Sequence, residues 1–408
     1  MKIAIVGAGI IGVTTAYELA SDGHEVTVFE QRSAAAEEAS FATAGLLAPY
    51  LLSPWAVPGF GQPLRLMGAQ ATLRMAGGLT LANWAWLRRW RSMARSHSAP
   101  ATAVERLAQY SQTRLQSIAS QHELDFEASD GRLVLLRTEE DRTRLQPALQ
   151  VLRDSGVTLR EIDADVARQI EPGLSPEAPL AGAIHLPDAR AGNCRLFAQL
   201  LRQGIQGGGV QFVFNTRVDR LGSSPTGVVL QGEAELRRFD AVVLCAGMAS
   251  ATLLPALGLP MAAVYGYSVS APLRESTHAP RASVVDAGQQ ISITRLGQRV
   301  RIAGGAELAG ADAEHHPPTL QRLYRTLNDW FPGGAQLSSN LQIWRGARTM
   351  LPDGAPVVGA SGVPGLWINT GHGASGWALA CGSARALADL IAQREPEVSL
   401  DGLGMRRF

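Results

Sequence analysis

Lysine is almost absent from this chain. Lys2 is the only one, so arginine carries nearly all of the 37 positive charges that balance 36 acidic side chains. Without a lysine in the body of the chain, a pyridoxal phosphate Schiff base and a P-loop are both excluded. A formal net charge of +1 gives no footing for a polyanion, so no nucleic-acid partner is expected. Cysteine is also scarce. Cys194, Cys245 and Cys381 lie far apart with no CxxC spacing, so neither a zinc site nor a disulfide framework follows, and no metal is expected. A reducing, cytoplasmic setting is the corresponding expectation. No run of 18 apolar residues occurs, so no membrane-spanning helix is expected. The apolar N-terminus looks like a signal peptide, but its glycines belong to a binding turn, and it is expected to remain in place.

What is present fits a well-buried globular enzyme, with 46% hydrophobic and 18% charged residues. A length of 408 residues points to two domains. The stretch that organises the chain is 1–30. Lys2–Val6 reads as a buried parallel strand, Gly7-Ala8-Gly9-Ile10-Ile11-Gly12 as a glycine-rich turn, Ile11–Ala20 as a helix, and Glu25–Phe29 as a second strand delivering Glu30. Gly7 permits the tight turn, Gly9 lets backbone approach a pyrophosphate, and Gly12 lets the helix pack on the strand. The pyrophosphate sits at the helix N-terminus, where free N–H groups and the dipole favour an anion. Glu30 accepts a ribose hydroxyl, which favours NAD or FAD over a 2′-phosphorylated cofactor. The whole unit in order reads as a dinucleotide site.

Further along, Gln31–Glu38 reads as a loop with Gln31 and Arg32 near the adenosine end. Ser40–Pro49 is small and glycine-bearing, suited to lie against a ligand, and Pro49–Gln62 reads as a proline-stiffened loop walling a pocket. Leu81–His97 combines Trp84, Trp86 and Trp90 with Arg88, Arg89, Arg91 and Arg95. It reads either as a helix burying Trp86, Trp90 and Met93, ended by Pro100, or as a peripheral membrane contact. Val104–His122 is amphipathic through Leu107, Leu115 and Ile118. Asp130-Gly131 marks a turn before strand Arg132–Arg137, and Glu139–Ser155 is helical. Ala183–Pro187 is a strand, Arg195–Gln206 a helix, Val210–Phe214 a strand, and Val228–Gln231 with Arg237–Asp240 a small antiparallel excursion. Ala241–Leu244 then reads as another strand of the dinucleotide sheet, with Cys245-Ala246-Gly247 at its carboxyl end, where ligands bind. From Met261 the pattern turns antiparallel, with short strands Tyr267–Ser270, Ser283–Asp286, Gln290–Arg295 and Arg299–Gly304, then a helix Leu320–Phe331. The tail returns to strand Leu366–Asn369, glycine-rich Thr370–Gly376 and helix Trp377–Ala392. The expected fold class is α/β (α+β overall): a Rossmann-like domain over 1–80, 188–260 and 340–408, and a substrate domain with a mixed, largely antiparallel sheet over 81–187 and 261–339.

Five segments carry a resemblance: GAGIIG with Glu30, ATAGLLAPYLLSPWAVPG, SITRLGQRVRIAGGAELAG, RGARTMLPDGAPVVG and GLWINTGHGASGWALACGS. With these the chain resembles the FAD-dependent D-amino acid oxidase-like superfamily, and within it the flavoprotein subunits of bacterial D-amino acid dehydrogenases. The match runs from residue 1 to about residue 390. Thr43 stands where the family usually has Asn, and Thr349 where it usually has Pro. The resemblance implies non-covalent FAD, held by Gly7 to Gly12, Glu30, Gln31, Arg32, Thr43, Ala44, Gly45, Leu46, Leu47, Val218, Cys245, Ala246, Gly247, Gly346, Arg348 and the loop Gly371, His372, Gly373, Ala374, Ser375 and Gly376. Amides at the start of the Trp377 helix would face the flavin pyrimidine ring, where negative charge develops as the ring accepts a hydride.

The same resemblance implies that Arg348 clamps a substrate carboxylate, since a guanidinium fork matches it bidentately and orients the α-carbon. Tyr50, Tyr265 and Tyr267 are candidates to share the clamp, with a core or lid role equally open. His372 is a candidate acid or base, against simple placement in a glycine-rich loop. The implied reaction removes the α-hydrogen of a D-amino acid as hydride, giving an imine that water hydrolyses to a 2-oxo acid and ammonia. The implied acceptor is a quinone or another non-oxygen acceptor, reached from the cytoplasm or from the cytoplasmic face of the inner membrane through 81–97. An oxidase or dehydrogenase of glycine, sarcosine, D-proline or a related secondary amine is the first rival. A non-catalytic FAD-holding subunit of a larger complex is the second, and assembly into a homo- or hetero-oligomer is left open.

Overall fold

The structure is a computed structural model that describes residues 1–47, 73–76, 80–93 and 99–407. The loop expected over 49–62, with Tyr50, and the last residues of 81–97 lie outside the described residues.

The first sheet has six strands in the order Val357–Ala360, Leu366–Thr370, Ala241–Leu244, Lys2–Val6, Glu25–Phe29 and Val210–Val213. All neighbours run parallel except Val357–Ala360, which is antiparallel to Leu366–Thr370. Both faces of its central strand are covered, as a parallel sheet requires. Ile3 and Ile5 pack on one face among Val13, Ala16 and Leu387, from the helices Ile10–Ser21 and Gly376–Ile391. Ala4 and Val6 alternate to the other face, against Val228 and Leu230. Those two residues belong to a three-stranded excursion of Val218–Ser223, Thr226–Leu230 and Arg237–Arg238. Its first strand was not foreseen, because Asp219 and Arg220 interrupt the apolar pattern.

The helices Ile10–Ser21, Ala99–Gln121 and Gly376–Ile391 are tied by a buried charge. Glu18 is fully buried and accepts two hydrogen bonds from Arg114, at 2.7 and 2.8 Å, and one from Arg385 at 2.9 Å. Gly382 allows the close approach of the last two helices, since a Cβ there would lie 2.8 Å from Ser111 Cβ.

The second sheet has nine strands among the described residues. Its main path is Gln342–Met350, Ala262–Pro272, Arg299–Leu308, Ile291–Leu296, Ser283–Asp286, Ser129–Leu136, Gly182–Ala191 and Arg160–Ile162, and Arg74–Met75 pairs with Arg299–Leu308. Pairing is antiparallel except for Ser283–Asp286 with Ser129–Leu136 and for Arg74–Met75. The helix Pro317–Trp330 lies among the apolar residues of one face, with Leu323, Leu327 and Trp330 packed on Tyr267, Val269 and Ile302. The edge strand Gln342–Met350 was not anticipated, because Trp344-Arg345-Gly346 breaks any apolar alternation.

Three local expectations are corrected. Asp130-Gly131 is no turn: the strand Ser129–Leu136 runs through it with a register shift, and Gly131 takes the strain at φ +87°. Pro100 is itself helical, within Ala99–Gln121, so it is no helix stop, and the described part of the tryptophan helix is Leu81–Met93. Met93 is exposed, while Trp86, Leu87 and Trp90 form the buried face.

Candidate active site

The first strand leads into a turn that only glycine tolerates. Gly7 has φ +102°, and a Cβ there would lie 2.7 Å from the Cys245 carbonyl oxygen. A Cβ on Gly12 would overlap the Gly7 carbonyl oxygen, so the helix lies directly on the turn. Gly9 differs: only Ser40 Oγ comes near, at 3.5 Å, and its open side faces the cavity described below. Glu30 is buried and fixed by backbone, accepting the Ala8 N–H at 2.7 Å and the Arg32 N–H at 2.8 Å. The acid at the end of the second strand is thus held across the glycine turn.

A second strand-turn-helix unit converges on the same space. Leu366–Thr370 leads to Gly371 at φ +79° and Gly373 at φ +56°, and then to the helix Gly376–Ile391. The N-cap of that helix, Ser375, makes no side-chain cap. Around this helix start, Asn369 Oδ1, Ser375 Oγ and Trp377 Nε1 are buried with no hydrogen-bond partner among the described residues. Buried polar atoms are ordinarily paired, so three orphans in one cavity wall mark the place where a polar ligand group fits.

The two helix N-termini and the second sheet border a cavity of about 560 Å³. Its wall includes Gly7, Gly9, Ile10, Ile11, Glu30, Gln31, Thr43, Ala44, Leu46, Val218, Cys245, Ala246, Gly247, Tyr267, Gly346, Arg348 and the loop Gly371 to Gly376. Six candidates fall outside the wall. Ala8 and Gly12 form the inner side of the turn, and Arg32 is exposed and paired with Glu38 at 2.5 Å. The Gly45 carbonyl accepts the Gly192 N–H at 2.9 Å, Leu47 is core, and Tyr265 lies under the Arg345 guanidinium at 3.7 Å. Ser40, at the start of the stretch expected to lie against a ligand, is in the wall, and wall residues that sequence reasoning missed include Gly266, Ser292, Gly304, Trp344 and Asn369. Gly266, between two candidate tyrosines, was the one with a visible signal.

Arg348 is half-buried and presents part of its surface to the cavity. Its guanidinium lies over Gly266, where a Cβ would overlap Nη2, and Nη1 donates to the Gly305 carbonyl at 2.8 Å. No carboxylate among the described residues pairs with it, and burial alone pulls its pKa down to about 10, leaving it charged at neutral pH. Tyr267 lends its ring to the wall, but its hydroxyl is committed, donating to Glu307 at 2.6 Å and accepting the His316 N–H at 3.2 Å. His372 is buried with Nε2 3.1 Å from Ser383 Oγ, and burial pushes its pKa down to about 3. The Ser383 hydroxyl already donates to the Ala380 carbonyl at 3.2 Å, so the imidazole is the donor and the ring is neutral.

A parallel sheet with a glycine turn, a buried acid after its second strand, a second helix start across the cavity and a cationic floor define a nucleotide-dependent oxidoreductase. The chain belongs to the DAO family of FAD-dependent oxidoreductases, which it matches over residues 2–390. It is 40% identical over 422 aligned positions to a D-amino acid dehydrogenase of Cereibacter sphaeroides, covering 100% of this chain and 95% of that protein. Among solved structures it resembles glycine oxidase from Geobacillus kaustophilus, with TM-score 0.75 and 21% identity over 100% of this chain and 98% of that one. It also resembles L-proline dehydrogenase from P. horikoshii, with TM-score 0.75 and 16% identity over 100% and 97% of the two chains. L-alpha-glycerophosphate oxidase from Mycoplasma pneumoniae, solved with FAD bound, has TM-score 0.71 and 16% identity over 98% and 97%. These three share the fold. The chain is an FAD-dependent enzyme.

Proposed function

We propose that the protein oxidatively deaminates D-amino acids to 2-oxo acids and ammonia and passes the electrons to a quinone or another non-oxygen acceptor. The observation that carries this reading is Arg348: a half-buried guanidinium without a carboxylate partner among the described residues, facing the cavity that two helix N-termini border. Such a group is costly unless an anion completes it, and the α-carboxylate of an amino acid is an anion of matching geometry. The named activity of the relative at 40% identity supplies the D-amino acid and the dehydrogenase class.

Bound FAD would supply the hydride acceptor. The turn of Gly7, Gly9 and Gly12 would take its pyrophosphate and Glu30 its ribose, while Gly371–Gly376 and the orphan polar atoms nearby would meet the isoalloxazine. Arg348 binds the substrate carboxylate and orients the α-carbon within the cavity. Tyr267, with its hydroxyl held by Glu307, acts as a wall and not as a base. His372, neutral and pinned to Ser383, holds the glycine loop and takes no proton from the substrate. Substrate must therefore enter with a neutral amine, whose lone pair drives imine formation.

The division of labour is between the six-stranded sheet, which carries the cofactor turns, and the nine-stranded sheet, which carries Arg348. Delivery of electrons to a bilayer quinone would use the exposed side of the helix Leu81–Met93. Anaerobic mixing with a panel of D-, L- and N-substituted amino acids tests the reading. D-amino acids should bleach the flavin rapidly, with ammonia released and little peroxide formed in air. Faster bleaching by glycine, sarcosine or D-proline with stoichiometric peroxide would overturn it in favour of a secondary-amine oxidase.

A further inference from the structure

The edge strand Gln342–Met350 places Trp344, Gly346 and Arg348 on one face, and all three line the cavity. Gly346 is paired across the ladder with Gly266. Two opposed glycines leave a patch of bare backbone, and two side chains lie over it. The Arg348 guanidinium covers Gly266. The Trp344 indole reaches over Gly346 with its nitrogen leading: a Cβ on Gly346 would lie 2.6 Å from Nε1 and 3.4 Å from either flanking ring carbon. Opposed residues of an antiparallel pair are about 4.5–5.5 Å apart, so the indole N–H and the guanidinium approach the same small volume.

The indole is braced: Phe41 packs on it at 4.5 Å between centroids with the rings tilted by 32°, and the Arg195 guanidinium covers Phe41 at 4.1 Å. Among the described residues, none accepts a hydrogen bond from Trp344 Nε1. Two donors with no acceptor between them are built for an anion.

We infer that Trp344 is a substrate-binding residue whose indole N–H donates to the substrate carboxylate beside Arg348. This rests on reading Arg348 as the carboxylate clamp. The paired glycines are then a requirement of the site, because a methyl on either would push a donor off the patch. The alternative is that the indole only walls the substrate side chain.

The test uses holoenzyme and unbranched carboxylates from acetate to hexanoate, with binding read from the visible spectrum of the bound flavin. Trp344→Phe keeps the ring and its stacking and removes the N–H. It should weaken every member by roughly tenfold, by the same factor at every chain length, with FAD content unchanged, since a hydrogen bond to a charged group is lost each time. Gly346→Ala should weaken the series in the same uniform way by displacing the indole, and it provides the reading if Trp344→Phe loses FAD. A loss that grows with chain length would make the indole a side-chain wall and overturn the inference, as would unchanged affinities. If wild-type holoenzyme responds to no carboxylate and no amino acid bleaches it, the clamp itself falls. If the wild type responds and Trp344→Phe matches it, only the role of Trp344 falls.

Discussion

Arg348 lies so close over Gly266 that a Cβ on the glycine would overlap its Nη2 atom. The glycine is therefore the seat of the guanidinium, and the two should behave as one unit. Arg348→Ala should raise KM strongly and leave FAD occupancy unchanged, at a cost of about 2–4 kcal/mol in kcat/KM for a charge-assisted contact in a dehydrated pocket. Arg348→Lys should recover only part, because a point charge does not reproduce the fork. Gly266→Ala should copy the KM defect with arginine still present. Steady-state kinetics and flavin content check all three, and wild-type kcat/KM in Arg348→Ala would move the clamp to another residue.

Two bases of the site contribute to the pH behaviour. Arg348, pulled down to about 10, is charged throughout the neutral range, so its hold on a carboxylate inhibitor without an amine should decline only as pH climbs through about 10. His372 resists protonation down to about 3, whereas an unfolded histidine titrates near 6.5. Between those values the unfolded chain binds the extra proton, so stability falls as pH drops from about 6.5 toward 3. His372→Gln lacks that contribution. The Tm gap between wild type and His372→Gln should therefore narrow from pH 7 to pH 5, while the pH profile of kcat/KM stays where it was.

Much of this site could be read before the fold was known. The strand, turn and helix around Gly7, Gly9 and Gly12 are local, and their requirements are written in consecutive residues. The Gly371–Gly376 loop is local for the same reason. Arg348 was found through a resemblance and not through its pattern, because an edge strand buried on one side by a neighbouring ladder shows no apolar alternation. Gly266, Trp344 and Asn369 were missed because their roles depend on who sits opposite: Gly346 across the ladder, Phe41 more than 300 positions away in sequence, and Thr15, which accepts from Asn369 Nδ2 at 3.2 Å. Tyr265 and Tyr267 looked equivalent in sequence, and a register shift between them separates their surroundings.

The FAD should be held without a covalent bond. Cys381 follows the flavin loop in sequence, but it is fully buried in the core among Val13 and Leu387, and burial holds its thiol well above the usual range. Cys245 does reach the cavity wall, and burial pushes its pKa up to about 12, so it is no thiolate. Acid precipitation should leave a colourless pellet and a yellow supernatant. Yellow colour retained by the pellet would show a tether.

Glu18 joins three helices through Arg114 and Arg385, and it is fully buried. Removing Glu18 takes away the carboxylate that Arg114 pairs with, while Arg385 keeps Asp22 and Asp389, so Glu18→Ala should destabilise the fold by an amount at the lower end of about 3–5 kcal/mol. The loss should appear as a lower denaturation midpoint in urea at an unchanged slope. Flavin affinity measured well below that midpoint should be nearly normal, since Glu18 does not touch the cavity.

The helix Leu81–Met93 has two faces with different chemistry. Trp86, Leu87 and Trp90 are buried, with Trp86 Nε1 donating to the Met350 carbonyl at 3.2 Å. Leu81 and Trp84 are 88% and 50% exposed, and Arg88, Arg89 and Arg91 are exposed alongside them. An apolar group and cations on one outer face suit an anionic bilayer surface, and among the described residues no helix is long and apolar enough to cross a membrane. Reversing the charge of Arg88, Arg89 and Arg91 should reduce sedimentation with anionic liposomes and slow quinone reduction in proportion. The wild-type association should weaken with salt, because surface charge is screened over about 8 Å at physiological ionic strength. Activity with a soluble dye acceptor should survive, since none of the three arginines is on the face that packs against Met350. Unchanged liposome binding with an intact dye assay would assign the outer face to something other than lipid. Collapse of the dye assay would mean instead that the arginines support the Trp86–Met350 contact, two residues from the Arg348 clamp.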